Sequence, residues 1–178
     1  MIFILLQLFN VFLLALAVFF LYVHFTGAPY LPTKVAAVRE MVRCANVTLG
    51  ESIADIGSGD GRIVMAFGRA GADAHGFEIN PLLVWISRWR IRRAGLQNLC
   101  HIHLANLWRV NFSPFRVVTV FGITKMMPKL QSKLQRELAP GSRVISFVFR
   151  FPGWESIEEH GGVSVYTMAE KSKVTFDF

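Results

Sequence analysis

Where a β-forming run hands over to a helical one, the chain reads Ala54-Asp55-Ile56-Gly57-Ser58-Gly59-Asp60-Gly61-Arg62. Glycines at three alternate positions permit positive φ and leave no Cβ between the backbone and a ligand. A strand that enters a helix through such a turn builds the ligand-binding edge of an open α/β sheet. The turn therefore constrains the fold more than any other segment, and the rest of the sequence agrees with it. Strand signals at 52–56, 74–79, 100–104, 117–121 and 143–149 alternate with helical ones at 62–70, from Pro81 to Gly95 and at about 128–138. Such alternation predicts a Rossmann-like, mainly parallel seven-strand sheet with helices on both faces. Val163–Met168 and Val174–Phe178, separated by Ala169-Glu170-Lys171-Ser172, supply the last two strands as a closing antiparallel hairpin.

The first 33 residues contain no Asp, Glu, Lys or Arg, so the net charge of +7 lies entirely on the remainder of the chain. Ile2 to Val23 is apolar except for Gln7 and Asn10. A helix of that length reaches about 33 Å at ~1.5 Å per residue, roughly the thickness of a hydrocarbon core. No basic residue precedes the run and Pro29 follows its small-residue cluster, which argues for an uncleaved anchor over a signal peptide. With Lys34, Arg39 and Arg43 just after the span, the body is expected on the cytoplasmic or mitochondrial matrix side. The expected domains are a transmembrane anchor at 1–26, a connector with an N-terminal helix at 27–50, and a catalytic α/β domain at 51–178. Thr33 is the expected N-cap of that helix, which ends near Asn46. A hydrophobic content of 53% against 17% charged excludes intrinsic disorder. Cys44 and Cys100 match no metal or redox spacing and read as small buried hydrophobes.

Spacing within the turn is G-x-G-x-G, and an acid, Asp55, precedes it, unlike the pyrophosphate fingerprint of dinucleotide folds. A carboxylate there repels phosphate and suits a cation or hydroxyls. Twenty-one residues after Gly57 stands Glu78, at the end of the second strand, where a carboxylate can accept both hydroxyls of a ribose. A nucleotide-like ligand is expected at this edge.

These residues resemble the class I S-adenosylmethionine-dependent methyltransferases over nearly all of residues 29–178. Asp55 to Val64, Glu78-Ile79-Asn80-Pro81 with Leu83-Val84-Trp85 and Ser87-Arg88, Leu107-Trp108, Phe121-Gly122, Met126-Met127 and Arg150-Phe151-Pro152 with Trp154 are further similar to the membrane-anchored mitochondrial protein-lysine methyltransferases that act on the ATP synthase c-subunit and the adenine nucleotide translocase. The resemblance implies S-adenosyl-L-methionine as cofactor. By that similarity Asp55, Gly57, Ser58, Gly59 and Gly61 hold its methionine part, Glu78 its ribose, and Asn106, Leu107 and Trp108 its adenine. Asn106 departs from the family pattern, which has an aspartate before Leu-Trp; its amide oxygen can accept from the adenine amine without a charge.

The implied function is transfer of methyl to a lysine ε-amine on a membrane protein. The same tether serves a lipid amine or small molecule, and a non-catalytic cofactor-binding membrane scaffold is the reading from another class. Methyl transfer to nitrogen requires positioning and exclusion of water more than a nucleophilic side chain, so the catalytic residue is left open. Tyr30, Phe121, Gly122 and Trp154 are the candidates for the acceptor mouth, with packing or bilayer-interface roles open for Tyr30 and Trp154. Met126 and Met127 read as packing.

Trp85 to Arg93 mixes four arginines with two tryptophans. Helical spacing stacks Trp85, Trp89 and Arg92 on one side and puts Arg90 and Arg93 on another. A solvated basic face or an anionic lipid surface fits this pattern, and no nucleic acid partner is expected. His101 and His103 share one side of a strand, yet no third ligand comes after them at a useful spacing, so no metal is expected.

Overall fold

The computed structural model describes residues 2–26 and 33–169, with side chains at 19–26 left out. The chain divides into two compact units, Met1–Leu31 and Pro32–Phe178. The first holds helix α1 (Ile2–Thr26), whose side chains are exposed throughout 2–18. Among the described residues no helix is long and apolar enough to cross a membrane. The spanning helix read from the sequence is thus unsupported here.

In the second unit, α2 (Val35–Ala45) precedes β1 (Ser52–Ile56), α3 (Arg62–Arg69), β2 (Asp73–Glu78), α4 (Pro81–Arg93), β3 (Cys100–Leu104), β4 (Val117–Val120), α5 (Met127–Glu137), β5 (Arg143–Phe147), β6 (Glu158–His160) and β7 (Val163–Thr167). Short 3-10 turns lie at Leu107–Arg109 and Thr124–Met126. Among the described residues seven strands form one sheet in the order β3-β2-β1-β4-β5-β7-β6, with the first five parallel and β7 antiparallel to both its neighbours.

Strand periodicity explains the layers. Ile53, Val117 and Ile145 join α2, α3 and α4 in one core, whereas their neighbours Ala54, Val118 and Val144 join Leu130 and Leu134 of α5 in the other. β4 is buried at every position because both of its faces are covered, and its Val-Val-Thr-Val sequence lacks polar alternation for that reason. Helix α2 packs on the sheet through Met41 and Ala45, both fully buried.

Helix signals place α4 as expected: Asn80 Oδ1 accepts from Leu82 N at 3.0 Å, Pro81 opens the helix, and Gly95 follows its end at φ +69°. One expectation is corrected. Helix α2 starts one residue late, with Lys34 at the N-cap, because Thr33 is buried and its carbonyl accepts from Arg62 Nη1 at 2.8 Å. An antiparallel hairpin pairs β7 with the preceding β6, which no sequence signal marks, and β5 lies on the other edge of β7. Glu158-Glu159-His160 has no strand-like composition and becomes a strand only by pairing. Residues 174–178 lie outside the described residues. Both cysteines are free and buried.

Candidate functional site

Strand order reverses between β1 and β4, so a crevice opens at the carboxyl ends of the central strands, the usual ligand position in open α/β sheets. Asp55, Gly57 to Gly61 and Glu78 converge there. The loop folds over the end of β2, with Gly57 N and Ser58 N donating to Phe77 O at 2.9 and 3.2 Å and Gly61 N to Ser58 O at 2.9 Å. Gly57, Gly59 and Gly61 all hold positive φ, at 73°, 53° and 77°. The Gly57, Ser58 and Gly61 amides are therefore engaged by the protein's own carbonyls rather than left for a ligand. Gly57 leaves open surface, since a Cβ there would meet nothing within 4 Å.

Glu78 clamps this loop. Its Oε2 accepts from Gly59 N at 2.9 Å and its Oε1 from Asn80 N at 2.8 Å. Each carboxylate oxygen keeps a further lone pair for an incoming hydroxyl. Asp55, 1% exposed, accepts from Thr119 Oγ1 at 2.7 Å through Oδ1, while its Oδ2 has no partner. Burial pushes the Asp55 carboxyl up to about 7, against the Thr119 hydrogen bond, with the nearby Glu78 and Asp60 charges adding to the rise. Ser58 Oγ is a second buried polar atom without a partner. Unsatisfied buried polar groups cost about 1–3 kcal/mol each, so two at one loop mark a place built for a polar ligand.

Three supporting residues escaped the sequence reading. Thr119 holds Asp55. Gly76 lets the loop sit on β2, since a Cβ there would lie 2.6 Å from Ser58 Cβ and 2.7 Å from Ile102 Cδ1; a glycine inside a strand is itself a signal of close approach. Asp60 pairs with Arg62 at 2.8 Å and with Arg90. Burial raises the Asp60 pKa, but the two guanidinium groups more than offset it and hold the carboxyl below its usual range.

Asn106 caps the Leu107–Arg109 turn, its Oδ1 accepting from Trp108 N at 3.0 Å. The amide oxygen assigned to adenine is thus partly engaged, with one lone pair left. Leu107 and Trp108 pack half-buried against the α5-side core, with Lys129 Nζ 4.4 Å from the Trp108 ring.

On the other side of the crevice, Phe121 follows β4 and packs on Phe147 and Phe149 at ring separations of 5.3 and 5.9 Å. Gly122 is buried against the Met126 and Met127 sulfurs, so both methionines pack as expected. Trp154 lies 5.4 Å from Phe151 and 5.2 Å from Tyr166. These three aromatics line a cavity of about 330 Å³ with Arg150, Glu155 and Glu159. Val148, between β5 and this cavity, holds φ at +69°, strained for a β-branched residue and a mark of functional sites that composition could not reveal. Tyr30 lies outside the described residues.

Helix α4 corrects the basic cluster. Arg90 is tied to Asp60, and Arg88 donates to Ile102 O at 2.6 and 3.0 Å, so neither belongs to a free basic face. Arg93 lies over the Trp89 ring at 5.7 Å instead of on a separate side. Trp85 and Trp89 are 66% and 53% exposed.

Known proteins share this arrangement. The chain is 44% identical over 126 residues to the ATP synthase c-subunit lysine N-methyltransferase of Xenopus laevis, covering 71% of this chain and 55% of that protein. It is 36% identical over 135 residues to a protein-lysine N-methyltransferase of Saccharolobus islandicus, covering 73% of this chain and 82% of that protein. The chain spans about half the length of the vertebrate relatives it matches. Among solved structures, an RNA methyltransferase from Salinibacter ruber in complex with S-adenosyl-L-homocysteine superposes with a TM-score of 0.75 at 32% identity, covering 83% of this chain and 100% of that one. A family model described as the ANTKMT methyltransferase domain matches residues 55–158, from the acid before the glycine turn to the start of β6, and the chain belongs to that family.

Proposed function

We propose that this protein is an S-adenosylmethionine-dependent protein-lysine N-methyltransferase acting on a membrane protein. The observation that carries the reading is the pair of acids around the glycine loop: Glu78 holding Gly59, and Asp55 presenting a buried carboxylate oxygen with no partner. An orphaned Asp55 Oδ2 and Ser58 Oγ beside an open glycine surface fit a cationic amino-acid nucleoside, and loop amides that are spent on the protein's own carbonyls fit a ligand without phosphates. Asp55, Gly57, Ser58, Gly59 and Gly61 would hold its methionine part, Glu78 its ribose, and Asn106, Leu107 and Trp108 its adenine. When bound, this cofactor supplies a methyl group activated on a sulfonium.

The chain's own residues then position an acceptor and keep water out. A lysine amine must lose its proton before it can accept a methyl group, and desolvation among aromatic side chains lowers its pKa. Phe121, Gly122 and Trp154 form that acceptor mouth, supported by the cavity that Trp154 shares with Phe151, Tyr166, Glu155 and Glu159. Tyr30 is assigned to the same mouth from the sequence. Precise placement of amine and methyl donor provides most of the acceleration in such a transfer.

A membrane acceptor is supported by three features. Every described side chain of α1 through residue 18 is exposed although the helix is almost wholly apolar. Trp85 and Trp89 stand exposed beside Arg92 and Arg93, a composition suited to an anionic lipid surface. The Xenopus laevis relative is named for a component of ATP synthase. The domain plan is then 1–26 as membrane anchor, 27–50 as connector and first helix, and 51–178 as catalytic domain, with the body on the cytoplasmic or matrix side. Tethering raises the domain's effective concentration toward acceptors in the same membrane.

Labelled methyl transfer into membranes lacking the protein, followed by mass spectrometry, tests the reading. Methyl-lysine in a membrane protein is the expected result. Label only in lipid headgroups assigns a lipid-amine methyltransferase, and tight cofactor binding with no label in any fraction assigns a scaffold.

A further inference from the structure

His101 and His103 find their missing partners on the neighbouring strand. β2 and β3 run parallel with His75 directly opposite His101, and Asp73 lies two residues before His75 on the same face. His75 Nε2 and His101 Nε2 stand 3.2 and 3.4 Å from Asp73 Oδ1, and the three ligand atoms all lie within 4.8 Å of one another. From these distances we infer that Asp73, His75 and His101 form a binding site for a divalent cation of the zinc type, separate from the cofactor crevice.

The geometry suits that ion. Zinc–ligand bonds of ~2.0–2.1 Å at the tetrahedral angle put neighbouring ligand atoms about 3.3 Å apart. Both histidine-to-aspartate distances already match that spacing, and the two imidazoles offer ligand atoms within 4.8 Å of each other. Two imidazole nitrogens with one carboxylate oxygen favour zinc, cobalt or nickel over calcium or magnesium, which prefer oxygen ligands alone. Three protein ligands leave a fourth position for water.

His103 acts behind the ligands. Its Nε2 lies 3.0 Å from His75 Nδ1, so with an ion held at His75 Nε2 the His75 proton would sit on Nδ1 and be accepted by His103. Metal-bound histidines are commonly oriented by such a partner on the other ring nitrogen. His103 is itself fixed by stacking on Phe77 at 5.0 Å, and Phe115 walls the His75 ring at 5.4 Å. The site is reachable from solvent, with side-chain exposures of 44% for Asp73, 24% for His75 and 39% for His101. A bound ion would staple edge strand β3 to β2.

Full-length protein without an affinity tag, in detergent micelles and stripped of metal by chelator, is titrated with cobalt(II) and then with zinc. One cobalt per chain with the visible bands of four-coordinate cobalt, displaced by one zinc, is the expected result, with X-ray absorption placing two imidazoles among the nearest ligands. Asp73→Asn and His101→Asn each weaken binding more than tenfold, and His103→Gln weakens it by about tenfold, the usual size for an outer partner. His160→Asn, on β6, leaves binding unchanged. Less than half an equivalent of cobalt, a coordination sphere without imidazole, or equal affinity in wild type and the folded His101→Asn variant overturns the site. Cofactor affinity, measured in parallel, is read independently, so failure of the metal site and failure of the methyltransferase assignment are told apart.

Discussion

The two sides of the crevice are built by different physics. On the β1/β2 side, directional hydrogen bonds fix the backbone and leave Asp55 Oδ2 and Ser58 Oγ open: the loop amides donate to Phe77 O and Glu78, and Thr119 holds Asp55. On the β4/β5/β7 side, Phe121, Phe147, Phe149, Phe151, Trp154 and Tyr166 pack ring against ring, with few directional contacts. A rigid polar half suits one invariant ligand, whereas a packed aromatic half can change its surface with modest energetic consequence. The first is therefore the place where single atoms matter, and the second is the side proposed to receive the acceptor.

That contrast breaks most sharply at Gly61. An added Cβ would meet Ser87 Cβ at 2.8 Å and hold a positive φ, so Gly61→Ala should lose about 3 kcal/mol of stability in denaturant unfolding. Gly57→Ala, with open space at its Cβ, should lose only about 1 kcal/mol, from the backbone conformation alone. Equal losses would mean that close packing does not hold the loop. Next in size is Glu78→Ala, which removes the acceptor for Gly59 N. Calorimetry should show cofactor affinity reduced by about 2 kcal/mol, and an unchanged affinity in a folded variant removes Glu78 from the site.

Asp55 sharpens the polar half through pH. Its folded pKa of about 7 lies above the ordinary value of 3.8. The stability linked to this group is full below that ordinary value and is lost as pH rises toward about 7. Ionisation in the same range should strengthen binding of a cationic ligand, so cofactor affinity rises up to about tenfold between about pH 6 and 8. Asp55→Asn should flatten that profile, and a flat wild-type profile would detach the carboxylate from the ligand. The smallest effect belongs to the aromatic half: Trp154→Leu should raise the acceptor KM about fivefold, roughly 1 kcal/mol, and leave cofactor affinity within about twofold. A cofactor effect as large as the acceptor effect would erase the division between the halves.

Local rules made much of the fold legible. Asn80-Pro81 and Gly95 bound α4 because capping and helix arrest depend on a few adjacent residues. The glycine turn and Glu78 were readable as a pair because a fixed stretch of strand, helix and strand separates them. The N-terminus of α2 was misread by one residue because Arg62, distant in sequence, takes the Thr33 carbonyl. β6 was invisible because Glu158-Glu159-His160 pairs only on account of an available edge on β7.

The alternation of apolar runs, the glycine spacing and the caps determined the α/β sheet and the position of its crevice, since these are properties of neighbouring residues. Only the tertiary structure decided that Thr119 braces Asp55, that Gly76 admits the loop, that Arg90 serves Asp60 instead of a free basic surface, and that His75 stands beside His101. Each of those contacts joins residues from different elements, and strand order and register, which bring them within a few ångströms, are not written in any local window of the chain.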